Sequence, residues 1–187
     1  MRDDRGMTFD SYVAEQLFQR RVVLAQGFLD EERATRTAAQ LLTLEALAPD
    51  PIQLHLSCPD GTPGAALSLA DTVRVLHAEL TAVAVGEVSG PAVAAFAAAP
   101  VRIAYPHARF RLAEPKTAEH SGTASEVDTY AQEYLRQRDD LVGLLAEATG
   151  RQAESVAADL RTGRFLTAEE AVGYGLAQRV AAGRSVR

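Results

Sequence analysis

Apolar residues recur along this chain at two periods, and the switches between them lay out alternating strands and helices. Phe9 to Arg20 places Tyr12, Leu17 and Phe18 on one side of a short amphipathic helix. Arg21-Val22-Val23-Leu24-Ala25 is an apolar run stopped by Gly27, which predicts a strand. Asp30-Glu31-Glu32 opens a helix with acidic residues in its first turn, where they complement the helix dipole. Ala38, Leu41, Leu42 and Ala46 give that helix an apolar stripe, and Pro49-Asp50-Pro51 ends it. Ile52-Gln53-Leu54-His55-Leu56 alternates at period two and reads as a strand, followed by a turn at Ser57-Cys58-Pro59-Asp60-Gly61. Ala66, Leu69, Ala70, Val73 and Leu76 share one face of the next helix.

Thr81 to Gly86 is a buried strand that turns at Gly86 into an alanine-rich helix, passing Glu87-Val88-Ser89-Gly90-Pro91 on the way. A strand that turns sharply into a helix can present a nucleophile on a tight elbow, with helix-terminal N–H groups nearby for an oxyanion. Val101–Ala104 and Ala108–Leu112 follow as short strands joined through Tyr105-Pro106-His107, and Glu114 to Gly122 is polar and irregular. Thr123-Ala124-Ser125-Glu126 is a capping box. It starts the longest helix, about 123–149, whose stripe is Val127, Tyr130, Ala131, Tyr134, Leu135, Leu141, Val142 and Leu145. At 1.5 Å per residue this helix reaches roughly 40 Å, long enough to extend onto another subunit. A further helix spans Arg151 to Leu160, and Thr167-Ala168-Glu169-Glu170 caps a last short one ending at Gly173-Tyr174-Gly175. The pattern is βαβ, with right-handed crossovers expected, in one domain over residues 1–187. Residues 1–8 are expected to be loose and 181–187 frayed.

Composition narrows the function. A net charge of −6 does not invite nucleic acid. The lone Cys58 excludes an internal disulfide and suits a reducing compartment. Met1-Arg2-Asp3-Asp4-Arg5 does not resemble a secretory leader, and the most apolar stretch, Thr81 to Tyr105, is interrupted by charges and by glycine and proline. It reads as core and not as a membrane span, and the expectation is a cytoplasmic protein. The histidines lack metal-ligand spacing and no phosphate-binding glycine loop with lysine occurs, so neither metal nor cofactor is expected.

Several short segments, in this order and spacing, carry a resemblance. They are Phe9-Asp10-Ser11-Tyr12, Ala39 to Ala46, Cys58-Pro59-Asp60-Gly61, Asp71-Thr72-Val73, the Val85-Gly86 elbow, Arg164 to Ala171, and Tyr174-Gly175-Leu176. From Phe9 to Val180 the chain resembles the proteolytic subunits of the Clp protease, the ClpP family of the crotonase-like superfamily. The resemblance implies an α/β fold of repeated ββα units. It also implies that helix 123–149 is the "handle" that stacks two seven-membered rings. The family's activity is ATP-dependent proteolysis by a Ser/His/Asp triad in a chamber fed by an AAA+ unfoldase.

Carried over position by position, the resemblance puts the nucleophile at Gly90, the histidine at Ala113 and the aspartate at Gly163, so all three triad members are replaced. A serine needs a base, and the base needs an orienter. The family's oxyanion hole pairs the turn N–H, here of Gly61, with the N–H after the nucleophile, here Pro91, which has none. A shift of one residue makes Ser89 the nucleophile and Gly90 the donor, with His120 or His107 as base. Asp159 could imitate the orienter. His55, His77 and Cys58 read as structural. Gln53 and His55 make the implied unfoldase-docking strand more polar, and Arg161-Thr162 departs from the family's ring-to-ring charge pair. The expectation is a catalytically inactive subunit with a structural or regulatory role in a Clp-type ring, alone or with an active paralogue. Unfoldase docking is doubtful. A weak serine peptidase using Ser89 is the alternative, and acyl-CoA binding at the Gly61 turn is a third reading.

Overall fold

Apolar runs from separate parts of the chain lie side by side and point the same way, because each is returned by a helix that covers the sheet. The computed structural model describes residues 9–116 and 122–182; residues 1–8, His120 and 183–187, on which some expectations fall, lie outside these. The first half runs α1 (Phe9–Gln19), β1 (Val22–Gln26), α2 (Glu31–Leu47), β2 (Ile52–Ser57), α3 (Pro63–Val75), β3 (Leu80–Ala84), β4 (Glu87–Ser89) and α4 (Ala92–Ala97). The second runs β5 (Val101–Ala104), β6 (Arg109–Leu112), α5 (Ala124–Thr149), α6 (Ala153–Thr162), β7 (Arg164–Thr167), α7 (Ala168–Tyr174) and β8 (Arg179–Val180). This is the expected α/β class, with a parallel sheet at its centre.

Two sheets share the strands. One is five-stranded and parallel, in the order β1-β2-β3-β5-β8. The other is β4-β6-β7, with β4 and β6 parallel and β7 antiparallel. Each of the neighbours β3 and β5 bends out of the first sheet into a partner strand of the second. At the first bend a Cβ on Gly86 would lie 2.5 Å from Ser57 Oγ, so any larger residue requires that hydroxyl to turn away. The sequence predicts a strand turning directly into a helix there. Glu87–Ser89 is instead extended, because it pairs with Arg109–Arg111. Arg164–Thr167 is likewise a strand on β6 and not merely the exit of a helix.

The buried face of α2 is Ala34, Thr37, Leu41 and Leu44. Of the predicted stripe only Leu41 is fully buried; Ala38 is half-buried, and Leu42 and Ala46 are exposed. Helix α3 keeps its predicted face but stops at Val75. Both predicted capping boxes form, at Thr123/Glu126 and Thr167/Glu170. The predicted stripe of α5 divides in two. Leu141, Val142 and Leu145 are buried, while Val127 and Leu135 are exposed. Ala181, expected in the frayed tail, donates its N–H to the Ala104 carbonyl at 2.8 Å. No helix among the described residues is long and apolar enough to cross a membrane.

Two polar knots hold the elements together. Arg102, on β5, donates to the carbonyls of Ala97, Ala99, Ala148, Gly175 and Leu176, which lie at or just past the C-terminal ends of α4, α5 and α7. The second knot links Asp159 of α6 to Arg164 of β7 at 3.0 Å and to the Tyr174 hydroxyl of α7 at 2.8 Å. The Arg151 guanidinium stacks 3.9 Å from the centre of the Tyr174 ring.

Arg102→Ala leaves all these carbonyls without their donor, and a loss of at least about 3 kcal/mol is expected by urea unfolding. A loss under about 1 kcal/mol would mean that water replaces the guanidinium at no cost. Leu141→Asp, at a buried position, should abolish folding, whereas Leu135→Asp at an exposed one should leave the circular dichroism spectrum intact. Equal damage from both would contradict the division of α5. Burial and the Asp159 carboxylate push the Tyr174 phenol up to about 12. The folded state therefore holds this proton more tightly than the unfolded chain does. Its contribution is full below about pH 10 and is lost as pH rises towards about 12. Tyr174→Phe should flatten that alkaline decline in unfolding free energy, and an unchanged slope would refute the assignment.

Candidate functional site

The second sheet ends in a small pocket of about 240 Å³, walled by β4, β6, the end of α6 and the Pro59-Asp60 turn. Gly90, Ala113 and Gly163 all line it, together with Ser89, Asp60, Arg111 and Lys116. Separate elements bring these three residues to this one place. Gly90 follows β4, Ala113 follows β6, and Gly163 ends α6 in a left-handed conformation. No histidine occurs among the described residues of the lining.

The left-handed turn of the elbow falls at Gly90 and not at Ser89. Gly90 has φ +56, the left-handed conformation expected of a sharp strand-to-helix turn, whereas Ser89 continues the strand. Every polar group of Ser89 that catalysis would use is committed. Its side chain is buried, its hydroxyl donates to Glu87 Oε1 at 2.7 Å, and its N–H donates to the Cys58 carbonyl. The Gly90 N–H, the oxyanion donor required if Ser89 attacked, instead donates to the Arg111 carbonyl at 2.9 Å. Pro91 begins the turn into α4 and has no N–H to offer.

The N–H of Gly61 is also taken. The Gly61 N–H donates to Oδ1 of Asp60 at 2.9 Å, and the other carboxylate oxygen accepts from Lys116. A Cβ built on Gly90 would lie 2.7 Å from Asp60 Oδ1. The carboxylate thus lies against the point where a nucleophile's side chain would begin. Across the pocket, a Cβ on Gly163 would meet the Arg111 guanidinium at 3.4 Å. Arg111 stacks on Phe165 at 5.2 Å.

The other candidates lie elsewhere. His107 is exposed in the turn before β6, at the far end of that strand from Ala113. Asp159 is committed to Arg164 and Tyr174. His77 is exposed beyond α3. His55 is half-buried, its Nε2 3.0 Å from Gln53 Oε1 and its ring edge-on to Tyr105; desolvation lowers its pKa. Cys58 is fully buried, its thiol donates to the Ala25 carbonyl, and burial pushes the thiol up to about 11. A thiol held protonated in this way is a poor nucleophile. Gln53 is exposed on the open face of β2, and Arg161 lines the pocket rim.

Sequence reasoning missed Asp60, Arg111 and Lys116. One signal was available. Asp-Gly in a turn favours an aspartate side chain that accepts from nearby backbone N–H groups, and Asp60-Gly61 is that dipeptide. Arg111 and Lys116 had no such mark, since only the pairing of β4 with β6 brings them to the turn.

The Clp protease family profile matches residues 5–184. The chain is 32% identical over 168 residues to the ATP-dependent Clp protease proteolytic subunit 1 of Thermobifida fusca (strain YX), a match spanning 88% of this chain and 76% of that protein. With the parallel sheet, the bent strands and the long helix α5 in place, this chain belongs to the Clp protease family.

Proposed function

We propose that this chain is a catalytically inactive subunit of a Clp-type assembly, one that contributes structure or regulation and not peptide hydrolysis. One observation carries the reading. Among the described residues, the pocket that gathers Gly90, Ala113 and Gly163 holds no nucleophile paired with a histidine. Acyl transfer needs that pair together with a free donor for the oxyanion. Here the Gly61 N–H is engaged by Asp60 and the position after Gly90 is Pro91. Loss of a single oxyanion donor typically costs about a hundred- to a thousandfold.

The exposed Val127 and Leu135 on the N-terminal half of α5 support a role in self-association, as the family's handle helix implies. In this reading the chain joins a ring, alone or with an active paralogue. The polar Gln53 and the half-buried His55 weigh against strong docking of an AAA+ unfoldase. The buried single cysteine suits the cytoplasm.

The second reading, a peptidase using Ser89, has one observation in its favour: the serine hydroxyl already donates to a carboxylate, Glu87. Labelling by a fluorophosphonate separates the two. The protein should be made in a host without its own ClpP and read by intact mass and peptide mapping. No adduct on a folded oligomer is expected, and an adduct on Ser89 would overturn the inactive reading. Leu135→Asp should shift the assembly to smaller species in native mass spectrometry without loss of helicity. Unchanged assembly in that variant would remove the handle role from α5.

A further inference from the structure

We propose that the vacated pocket is a carboxylate-binding site, held by the chain's own Asp60 until a free carboxylate displaces it. The inference rests on the inactive reading only in taking the pocket as free of acyl-enzyme chemistry. Its carrying observation is the seating of Asp60 itself. One oxygen of that carboxylate takes the Gly61 N–H at 2.9 Å and the other takes the Lys116 ammonium, so the pocket already holds an anion on a backbone donor and a cation. Charge-assisted bonds of this kind, from an ammonium or an oriented N–H to a carboxylate, are the stronger class of hydrogen bond.

The opposite wall is incomplete. The Arg111 guanidinium lies beside Gly163 and over the Phe165 ring, and among the described residues it has no carboxylate partner. Arg161 lines the same rim. The charged lining is therefore Arg111, Lys116 and Arg161 against Asp60 and Glu114, and a planar guanidinium fork is suited to one more carboxylate. Replacement of side chains by Gly90, Ala113 and Gly163 leaves room for it. A ligand carboxylate bonds to Arg111 and draws Lys116 from Asp60. The two chemical sources are a peptide C-terminus and a small free acid.

Lys116 is the only lysine of the chain, which gives the test a built-in reporter. Reductive methylation with labelled formaldehyde puts one side-chain dimethylamine signal on Lys116, and its shift reports separation from Asp60. The probes are N-acetyl-alanyl-alanine, the same peptide as its C-terminal amide, and acetate. The free acid is expected to move the signal and the amide to leave it still. Asp60→Ala removes the internal competitor and should tighten the free acid by at least about tenfold. Asp60→Asn, which keeps an acceptor for Gly61, provides an intermediate case if the alanine variant folds poorly. Arg111→Met should reverse the gain. Competition by acetate at equal concentration assigns the site to small acids, and its failure assigns it to peptide C-termini. Equal responses to acid and amide, or a gain that survives Arg111→Met, would overturn the site. Fluorophosphonate labelling of the same samples keeps the two ideas apart. An adduct on Ser89 with carboxylate binding intact sinks only the inactive reading, and no adduct with no binding sinks only the site.

Discussion

The structure depends on one guanidinium. The C-terminal ends of α4 and α5 and the turn after α7 converge on Arg102 of β5, each presenting carbonyl oxygens that its helix cannot satisfy. Helix C-termini carry partial negative charge, so bringing them together is unfavourable unless a cation lies between. Arg102 is that cation, and desolvation lowers its pKa without removing its charge. The positions of α5 and α7 relative to the sheet follow from this contact. Helix α6 begins directly beyond α5, so the pocket wall at Gly163 follows as well. Arg21 repeats the device at the end of α2, donating to the Leu44, Ala48 and Asp50 carbonyls from a left-handed backbone with φ +60. That conformation is costly for a residue with a Cβ, and the clamp on α2 holds it in place.

The order of elements was legible because burial imposes a period on the chain. The strands Ile52–Ser57 and Leu80–Ala84 could be read from alternation and from a continuous apolar run. The helix starts at Thr123 and Thr167 followed from local chemistry, since a capping box needs only residues three apart. The missed strands Glu87–Ser89 and Arg164–Thr167 are short and polar on one side, and their pairing with β6 is a long-range event that leaves no local period. The α2 stripe erred for a related reason. Leu41 and Leu42 are adjacent and equally apolar, and only α3 and the sheet decide which one is buried.

The site was legible in what it lacks and illegible in what it contains. The positions that the family resemblance marks, Gly90, Ala113 and Gly163, can be counted from the flanking segments, and the fold brings those residues to one lining. What fills the space is another matter. Asp60 turns onto the Gly61 N–H, and Arg111 lies against Gly163, only because β4, β6 and the Asp60 turn meet in three dimensions. The same meeting commits the Ser89 and Gly90 N–H groups to main-chain carbonyls, so a polar elbow that is short of donors by sequence has none to spare in the fold.

The Asp60 carboxylate has a consequence for the history open to such a chain. A serine arising at Gly90 would place its Cβ 2.7 Å from that carboxylate oxygen. It would also find the turn donor occupied and Pro91 at the next position. An aspartate arising at Gly163 would meet Arg111 and form an ion pair in place of orienting a base. On the inactive reading proposed above, no one of these substitutions supplies nucleophile, base and oxyanion donor together, so the pocket works as a ratchet. A chain in that position can drift in surface and in partner while its interior stays closed to hydrolysis.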